Sequence, residues 1–105
     1  MKNNKTTITV ITVCKNAEKY IAETIESVVS QIKPDSLFNL QYIIYDGNSN
    51  DSTAEKIKFY ADKYSEIEFY VEDDDGLYDG LIKSFKKSKG EVVAYINAGD
   101  FYSKN

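Results

Sequence analysis

The sequence predicts an α/β fold, in which a mainly parallel β-sheet carries helices on both faces in the order β-α-β-α-β-α-β. Two observations lead to this prediction. Short runs of apolar and β-branched residues alternate with segments whose apolar residues recur at helical spacing. The connections between these segments are short, as expected where helices cross over between parallel strands. The 105 residues are enough for one compact domain.

The first strand is predicted from Ile8 to Cys14, a run rich in β-branched residues. Asn16 is placed to cap the helix that follows. The end of that helix is predicted at Pro34 and Asp35, which do not favour its continuation. Its apolar stripe consists of Tyr20, Ile21, Ile25, Val28, Val29 and Ile32.

The second strand is predicted from Leu40 to Tyr45, a nearly unbroken apolar run that is typical of a strand covered on both faces. Asp46 to Thr53 is a turn of small polar residues. Ser52 in this turn and Glu55 after it have the spacing of a capping box, which predicts the start of a second helix. The apolar stripe of this helix consists of Ala54, Ile57, Tyr60, Ala61 and Tyr64.

A short third strand is predicted from Ile67 to Val71, followed by an acidic loop from Glu72 to Gly76. A third helix then ends near Gly90, and its apolar positions are Leu77, Leu81 and Phe85. The fourth strand is predicted from Val92 to Ile96, and the loop beyond it from Asn97 to Asp100.

The predicted pattern ends without a helix after the fourth strand. A fourth strand at the edge of the sheet would have one unprotected side. We therefore expect residues 1–105 to form a single domain that is truncated at its C-terminus and belongs to a longer protein.

The composition restricts the function. With 17 acidic and 13 basic residues, the chain has a net charge of −4, which argues against a nucleic acid as partner. Histidine is absent, so catalysis would depend on carboxylates or on a metal bound by oxygen. Cys14 is the single cysteine, which favours a reducing, cytoplasmic location. No apolar stretch is as long as a membrane span.

Polar residues collect where the predicted strands end. Because ligands of open α/β sheets bind beyond the carboxyl ends of the strands, these residues mark the candidate site. Mg²⁺ commonly takes one or two carboxylates together with substrate phosphates, so one aspartate after the fourth strand would suffice. A buried Asp46 could accept the N–H group of a base. The segments after the strands are 15–16, 46–51, 72–76 and 97–100.

Four segments resemble, in order, the motifs of glycosyltransferase family 2, which has the GT-A fold. Ile11–Ile21, continuing to Val28, resembles the family's opening strand and helix. Asp46–Thr53 resembles its D-G-x-S-x-D-x-T turn, and Glu72–Asp79 an E-x-D-x-G-I-Y-D segment of one branch. Gly90–Asp100 resembles the strand that leads into its D-x-D region. The resemblance covers nearly the whole chain and implies a Rossmann-like sheet, the N-terminal nucleotide-binding part of a GT-A fold.

The resemblance also implies roles for single residues. Asp100 would reach the divalent metal, Mg²⁺ or Mn²⁺, and the diphosphate. Many members have aspartates where this chain has Asn97 and Gly99, which leaves metal dependence open. The catalytic base is expected in a later half of the fold, so the isolated chain is expected to be inactive. The candidates for nucleotide binding are Thr12, Asn16, Asp46 and Asp74.

The implied reaction is transfer of a sugar from a nucleotide-diphosphate-sugar, with a UDP-sugar favoured, to the hydroxyl of a glycan or lipid-linked acceptor. Polysaccharide or lipopolysaccharide assembly is the expected setting, in the cytoplasm or at the inner membrane surface. A binding-only nucleotide-sugar module, truncated or degenerate, is the alternative. A phosphoacceptor domain is disfavoured because the first strand is not followed by carboxylates, and a dinucleotide-binding fold because no G-x-G-x-x-G follows it.

Several of these residues also have structural interpretations. Asp46 could cap a turn through local hydrogen bonds. Cys14 is interpreted as a small buried residue, because the chain has no histidine to activate a thiol. Residues interpreted as turn and N-cap positions are Ser49, Asn50, Asp51 and Thr53.

Overall fold

A computed structural model describes residues 6–31, 38–71, 77–90 and 92–96. These residues form a four-stranded sheet and three helices, which confirms the predicted order of elements. The elements are β1 (Thr6–Cys14), α1 (Ile21–Val29), β2 (Phe38–Asp46), α2 (Thr53–Lys63), β3 (Ile67–Val71), α3 (Leu77–Lys87) and β4 (Val92–Tyr95).

The described sheet is parallel throughout, with the strand order β3-β2-β1-β4. The chain moves outward from β1 to β2 and β3, and then crosses back to place β4 on the other side of β1. The strand order therefore reverses between β1 and β4. In open α/β sheets, ligands bind beside such a reversal at the carboxyl ends of the strands.

The helices cover both faces of this sheet, as predicted. Successive strand residues point to opposite faces, so β1 and β2 contribute alternate side chains to two separate cores. The larger core lies under α1 and α2 and includes Val10, Tyr42, Ile44, Ile21, Ile25, Ile57 and Tyr60. The smaller core lies on the face that packs against α3 and consists of Ile11, Val13, Ile43 and Tyr45, with the half-buried Tyr70 beside them.

The predicted caps differ from the observed helix starts. Asn16 does not cap α1, because the helix begins at Ile21 and its N-cap position, Tyr20, makes no side-chain hydrogen bond. Asn16 instead has a φ of 52° and joins the loops that follow β1 and β2. At the other end, α1 stops at Val29, and the predicted end at residues 34–35 lies outside the described residues.

The capping box predicted for α2 is wrong in its bonds, although Ser52 does occupy the N-cap position. The Ser52 side chain makes no capping bond. Asp51 supplies the acceptor instead, because its Oδ1 receives the backbone N–H of Thr53 at 3.0 Å. A carboxylate one residue earlier in the chain thus satisfies a donor of the first turn.

A buried polar network fixes the edge strand β4 to the centre of the sheet. Thr9 Oγ1 donates to Gln41 Oε1 at 2.7 Å and accepts the Gly90 N–H at 2.9 Å. Gln41 Oε1 also accepts the Lys89 N–H at 2.8 Å, and Gln41 Nε2 donates to Glu68 at 2.9 Å. Because buried polar groups are costly unless they are paired, this network strongly specifies where the chain enters β4.

Replacing Gly90 by alanine is expected to destabilise the fold. A Cβ at this position would lie 2.6 Å from the backbone N of Thr9 and 2.9 Å from the backbone O of Thr7. Backbone atoms of the central strand cannot move aside cheaply, so we expect a loss of about 1–3 kcal/mol in the free energy of unfolding. Urea denaturation followed by circular dichroism measures this loss.

Lys89→Ala is the matched control, because the Lys89 side chain is exposed and its backbone N–H is retained. This variant should stay within about 0.5 kcal/mol of the parent chain. Equal free energies of unfolding for Gly90→Ala and Lys89→Ala would contradict the close approach of Gly90 to the backbone of β1.

Candidate functional site

The carboxyl ends of β1 and β2 form one rim, at which Cys14 and Asp46 are paired in register. The Gly47 N–H donates to the Cys14 carbonyl at 2.9 Å and extends the pairing past the strands. Both side chains are buried, with Cys14 3% and Asp46 0% exposed. The rim therefore places a carboxylate one strand away from the reversal of the sheet.

The Asp46 carboxylate is held by local donors. The Ser49 N–H donates to Oδ2 at 2.9 Å, and the Ser49 hydroxyl donates to Oδ1 at 2.5 Å. The Cys14 thiol also lies 3.7 Å from Oδ1 as a weak donor. The turn-stabilising interpretation of Asp46 is thus confirmed. Because the Asp46 side chain has no exposed surface, its binding to a nucleoside stays a prediction.

Cys14 is a protonated, structural thiol. Burial is the main cause that raises the pKa of Cys14 above its ordinary value, and the charge and hydrogen bonding of Asp46 raise it further. A thiolate is the nucleophilic form of cysteine, so this thiol is unsuited to nucleophilic chemistry. The interpretation of Cys14 as a small buried residue is confirmed.

Ser49 joins the loops that follow β1 and β2. Its hydroxyl oxygen accepts the Asn16 N–H at 2.8 Å while donating to Asp46, and Asn16 Oδ1 accepts the Asn50 N–H at 2.8 Å. Asn16 and Asn48 have φ values of 52° and 63°, a region that asparagine tolerates better than most residues. Of the predicted site residues, the structure therefore brings Asn16 and Asp46 together. Sequence spacing gave no sign that Ser49 connects them.

A second set of hydrogen bonds, made by Thr53 and Asp51, also connects the segment after β2 to the loop after β1. Thr53 Oγ1 accepts the Ala17 N–H at 2.8 Å and donates to Asp51 Oδ1, and the Glu18 N–H donates to Asp51 Oδ2 at 3.4 Å. The Thr53 hydroxyl is the main cause that lowers the pKa of Asp51 below its ordinary 3.8. The stability that ionised Asp51 contributes is therefore fully present above pH 3.8 and is lost as the pH falls through the lowered pKa of the folded state. The turn and cap interpretation of both residues is confirmed.

Thr12 lies inside the core rather than on the rim surface. Its side chain is fully buried, and Oγ1 lies 2.8 Å from the hydroxyl of Tyr42, which is also fully buried. Thr12 lies two positions before Cys14, the last residue of β1. A nucleoside contact of Thr12 stays a prediction, and the geometry favours a packing role.

Two predicted site residues, Asp74 for the nucleotide and Asp100 for the metal, lie outside the described residues. Within the described ranges, no group of three or more acidic or cysteine side chains could hold a metal ion.

In the same ranges, no helix is both long and apolar enough to cross a membrane.

The sequence profile of Glycosyl transferase family 2 matches residues 9–105. The chain belongs to this family, which confirms the resemblance drawn from its motifs. The family match extends through Asp74 and Asp100, beyond the part of the rim whose geometry is described.

Two curated relatives of this chain are longer than the chain itself. TuaG of Bacillus subtilis, a glycosyltransferase assigned by its name to teichuronic acid biosynthesis, is 30% identical over 106 residues; the match covers all of this chain and 40% of TuaG. The cholesterol galactosyltransferase of Borreliella burgdorferi is 29% identical over 79 residues, covering 75% of this chain and 22% of that protein. The chain thus spans less than half of these curated relatives.

Solved structures confirm the Rossmann-like GT-A fold. TarS of S. aureus in complex with UDP-GlcNAc has a TM-score of 0.81 at 24% identity, over 93% of this chain and 28% of that chain. The mannosyltransferase PcManGT of Pyrobaculum calidifontis with GDP-Man and Mn²⁺ has a TM-score of 0.81 at 20% identity, over 95% and 29%. Glucosyl-3-phosphoglycerate synthase of Mycobacterium tuberculosis with Mn²⁺, UDP and phosphoglyceric acid has a TM-score of 0.70 at 22% identity, over 89% of this chain and 33% of that chain.

Cys14 should resist alkylation while the chain is folded, because its thiol is buried and its pKa is raised. We expect iodoacetamide at pH 8 to modify the native chain on the order of tenfold more slowly than the chain in urea. Mass spectrometry over time measures both rates. Equal rates would show that the rim is open at Cys14.

Thr12→Val and Tyr42→Phe each remove one hydroxyl of the same buried pair. Both are expected to lower the free energy of unfolding by about 1 kcal/mol and to leave UDP affinity unchanged. Urea denaturation and calorimetric titration measure the two quantities. Weaker UDP binding by Thr12→Val alone would instead establish the predicted nucleoside contact.

Proposed function

We propose that this chain is the donor-binding half of a glycosyltransferase that moves a sugar from a nucleotide-diphosphate-sugar to an acceptor hydroxyl. The observation that carries this proposal is the buried, oriented Asp46 carboxylate at the rim of a family 2 sheet. It lies close to the strand reversal, where this class of sheet binds nucleotides.

Asp46 is suited to read a base. A carboxylate whose orientation is fixed before binding loses little conformational freedom when it accepts the N–H of a base. A buried acceptor also discriminates strongly, because a ligand that lacks the matching donor leaves it without that partner. Asn16 is exposed on the neighbouring loop and bonded to the same Ser49, so it would flank the bound nucleotide.

A UDP-sugar is the favoured donor. TarS is solved with UDP-GlcNAc and the mycobacterial synthase with UDP, whereas PcManGT is solved with GDP-Man. The shared fold thus accommodates more than one base, and the residues around Asp46 would select among them. In the reaction, the acceptor oxygen bonds to the anomeric carbon, the bond to the diphosphate breaks, and the hydroxyl proton passes to a base that remains unassigned.

A divalent metal would assist the donor site. PcManGT and the mycobacterial synthase are solved with Mn²⁺. In this chain we assign the metal contact to Asp100 and a nucleotide-side contact to Asp74, both by their position in the family motifs. Mg²⁺ or Mn²⁺ at this place would offset charge on the departing diphosphate.

The acceptor is proposed to be a glycan or a lipid-linked saccharide, in polysaccharide or lipopolysaccharide assembly at the cytoplasmic side of the membrane. The assignment of TuaG to teichuronic acid biosynthesis supports a polysaccharide pathway.

UDP with Mn²⁺ is expected to stabilise the chain against heat. At a ligand concentration near one hundred times the Kd the gain is about 2.7 kcal/mol. For a domain of this size such a gain raises Tm by roughly 4–8 °C. Differential scanning fluorimetry with UDP, GDP, CDP and ADP, each with and without Mn²⁺, measures the shift and ranks the bases.

Asp46→Asn should abolish the shift, because it replaces an acceptor oxygen of the base site by a donor. Asp62→Asn on the exposed side of α2 removes the same charge and should keep the full shift. Tm without ligand shows whether either variant is folded. An unchanged Tm of the parent chain with every nucleotide diphosphate would argue against the donor site.

A further inference from the structure

The outward face of α3 combines exposed apolar side chains with lysines. Ile82 is 40% and Phe85 49% exposed, and the side chains of Lys86 and Lys89 are exposed as well. With 3.6 residues per turn, positions 82, 85 and 86 fall on one side of α3, and Lys89 follows two residues after the end of the helix. Ser84 falls on the opposite side and is fully buried. We call the four exposed residues the α3 outer face.

This face is basic although the protein is acidic. Four of the 13 basic residues lie between positions 82 and 89, a stretch without a single acidic residue. All 17 acidic residues lie elsewhere in the chain. The positive charge is therefore concentrated beside Ile82 and Phe85. The four lysines are Lys83, Lys86, Lys87 and Lys89.

The other two lysines attach α3 to the sheet. Lys83 Nζ lies 5.9 Å from the centre of the Tyr45 ring, and Lys87 Nζ lies 4.5 Å from the centre of the Tyr70 ring. The two rings are themselves 6.4 Å apart. Cation–π contacts of this kind help to fix the rotation of a helix. The α3 outer face thus points away from the sheet as a preformed surface.

We propose that the α3 outer face docks on an anionic lipid surface. Phe85 and Ile82 would enter the boundary between headgroups and acyl chains, while Lys86 and Lys89 would contact lipid phosphates. Two apolar side chains provide far less area than the roughly 1,000 Å² that a specific protein interface needs. A fluid surface that accepts shallow insertion and carries opposite charge matches this composition better.

Docking in this way leaves the rim accessible. The helix starts after the carboxyl end of β3, at the rim, and it ends beside the entry into β4. The lysines of the α3 outer face lie at this second end, away from Asp46. Lipid binding and donor binding therefore use separate parts of the chain, and the failure of one leaves the other intact.

Sedimentation with lipid vesicles tests the proposal. At low salt the chain should bind vesicles of equimolar phosphatidylglycerol and phosphatidylcholine and should not bind pure phosphatidylcholine. Lys86→Glu combined with Lys89→Glu should weaken partitioning about tenfold or more, because each lysine near the surface contributes separately. Phe85→Ser should also weaken it, and added salt should release the parent chain.

Matched controls come from α2 and the loop before α1. Lys19→Glu combined with Lys58→Glu changes the net charge equally, and both side chains are exposed. Phe59→Ser removes an aromatic side chain that is 62% exposed. These variants should bind as the parent chain does, apart from a small loss from net charge. No binding to the anionic vesicles, equal losses in the controls, or a dimer that Phe85→Ser dissociates would each overturn the proposal.

Discussion

The hydroxyl of Ser49 connects the two loops on which the candidate site depends. It donates to the Asp46 carboxylate at the end of β2 and accepts the backbone N–H of Asn16 beyond β1. These bonds orient a buried charge and set the separation of the loops in a single arrangement. Thr53 and Asp51 stabilise this arrangement further, because their hydrogen bonds reach the backbone of the same two loops. A ligand at this rim would thus meet groups that are already in place.

Because β1 is an inner strand, it takes part in the packing on both faces of the sheet. It pairs with β2 and with β4, and alternate side chains enter two different cores. The register of β4 depends on buried polar bonds as well, since Thr9 and Gln41 hold the backbone of residues 89–90. The edge strand is consequently fixed at its start.

The order and type of the elements could be predicted because apolar periodicity reports burial directly. Strand ends were less predictable, since β1 and β2 continue their parallel pairing into Thr6 and Phe38, beyond the apolar runs. The caps were predicted wrongly for a related reason. Ser52 and Asn16 have favourable local spacing, but the N–H groups of a helix N-terminus donate to an oxygen that the fold places correctly, and for α2 that oxygen belongs to Asp51.

By itself, the sequence determined the α/β order, the burial of the strands on both faces and the family, because each of these depends on residue types at short spacing. Only the tertiary structure decided which polar groups meet. Asn16 and Ser49 are 33 positions apart, and Thr12 and Tyr42 are 30 apart. Contacts over such separations arise from the register of parallel strands, which local pattern does not encode. That register placed Asp46 at the rim beside Cys14 and left Thr12 within the core.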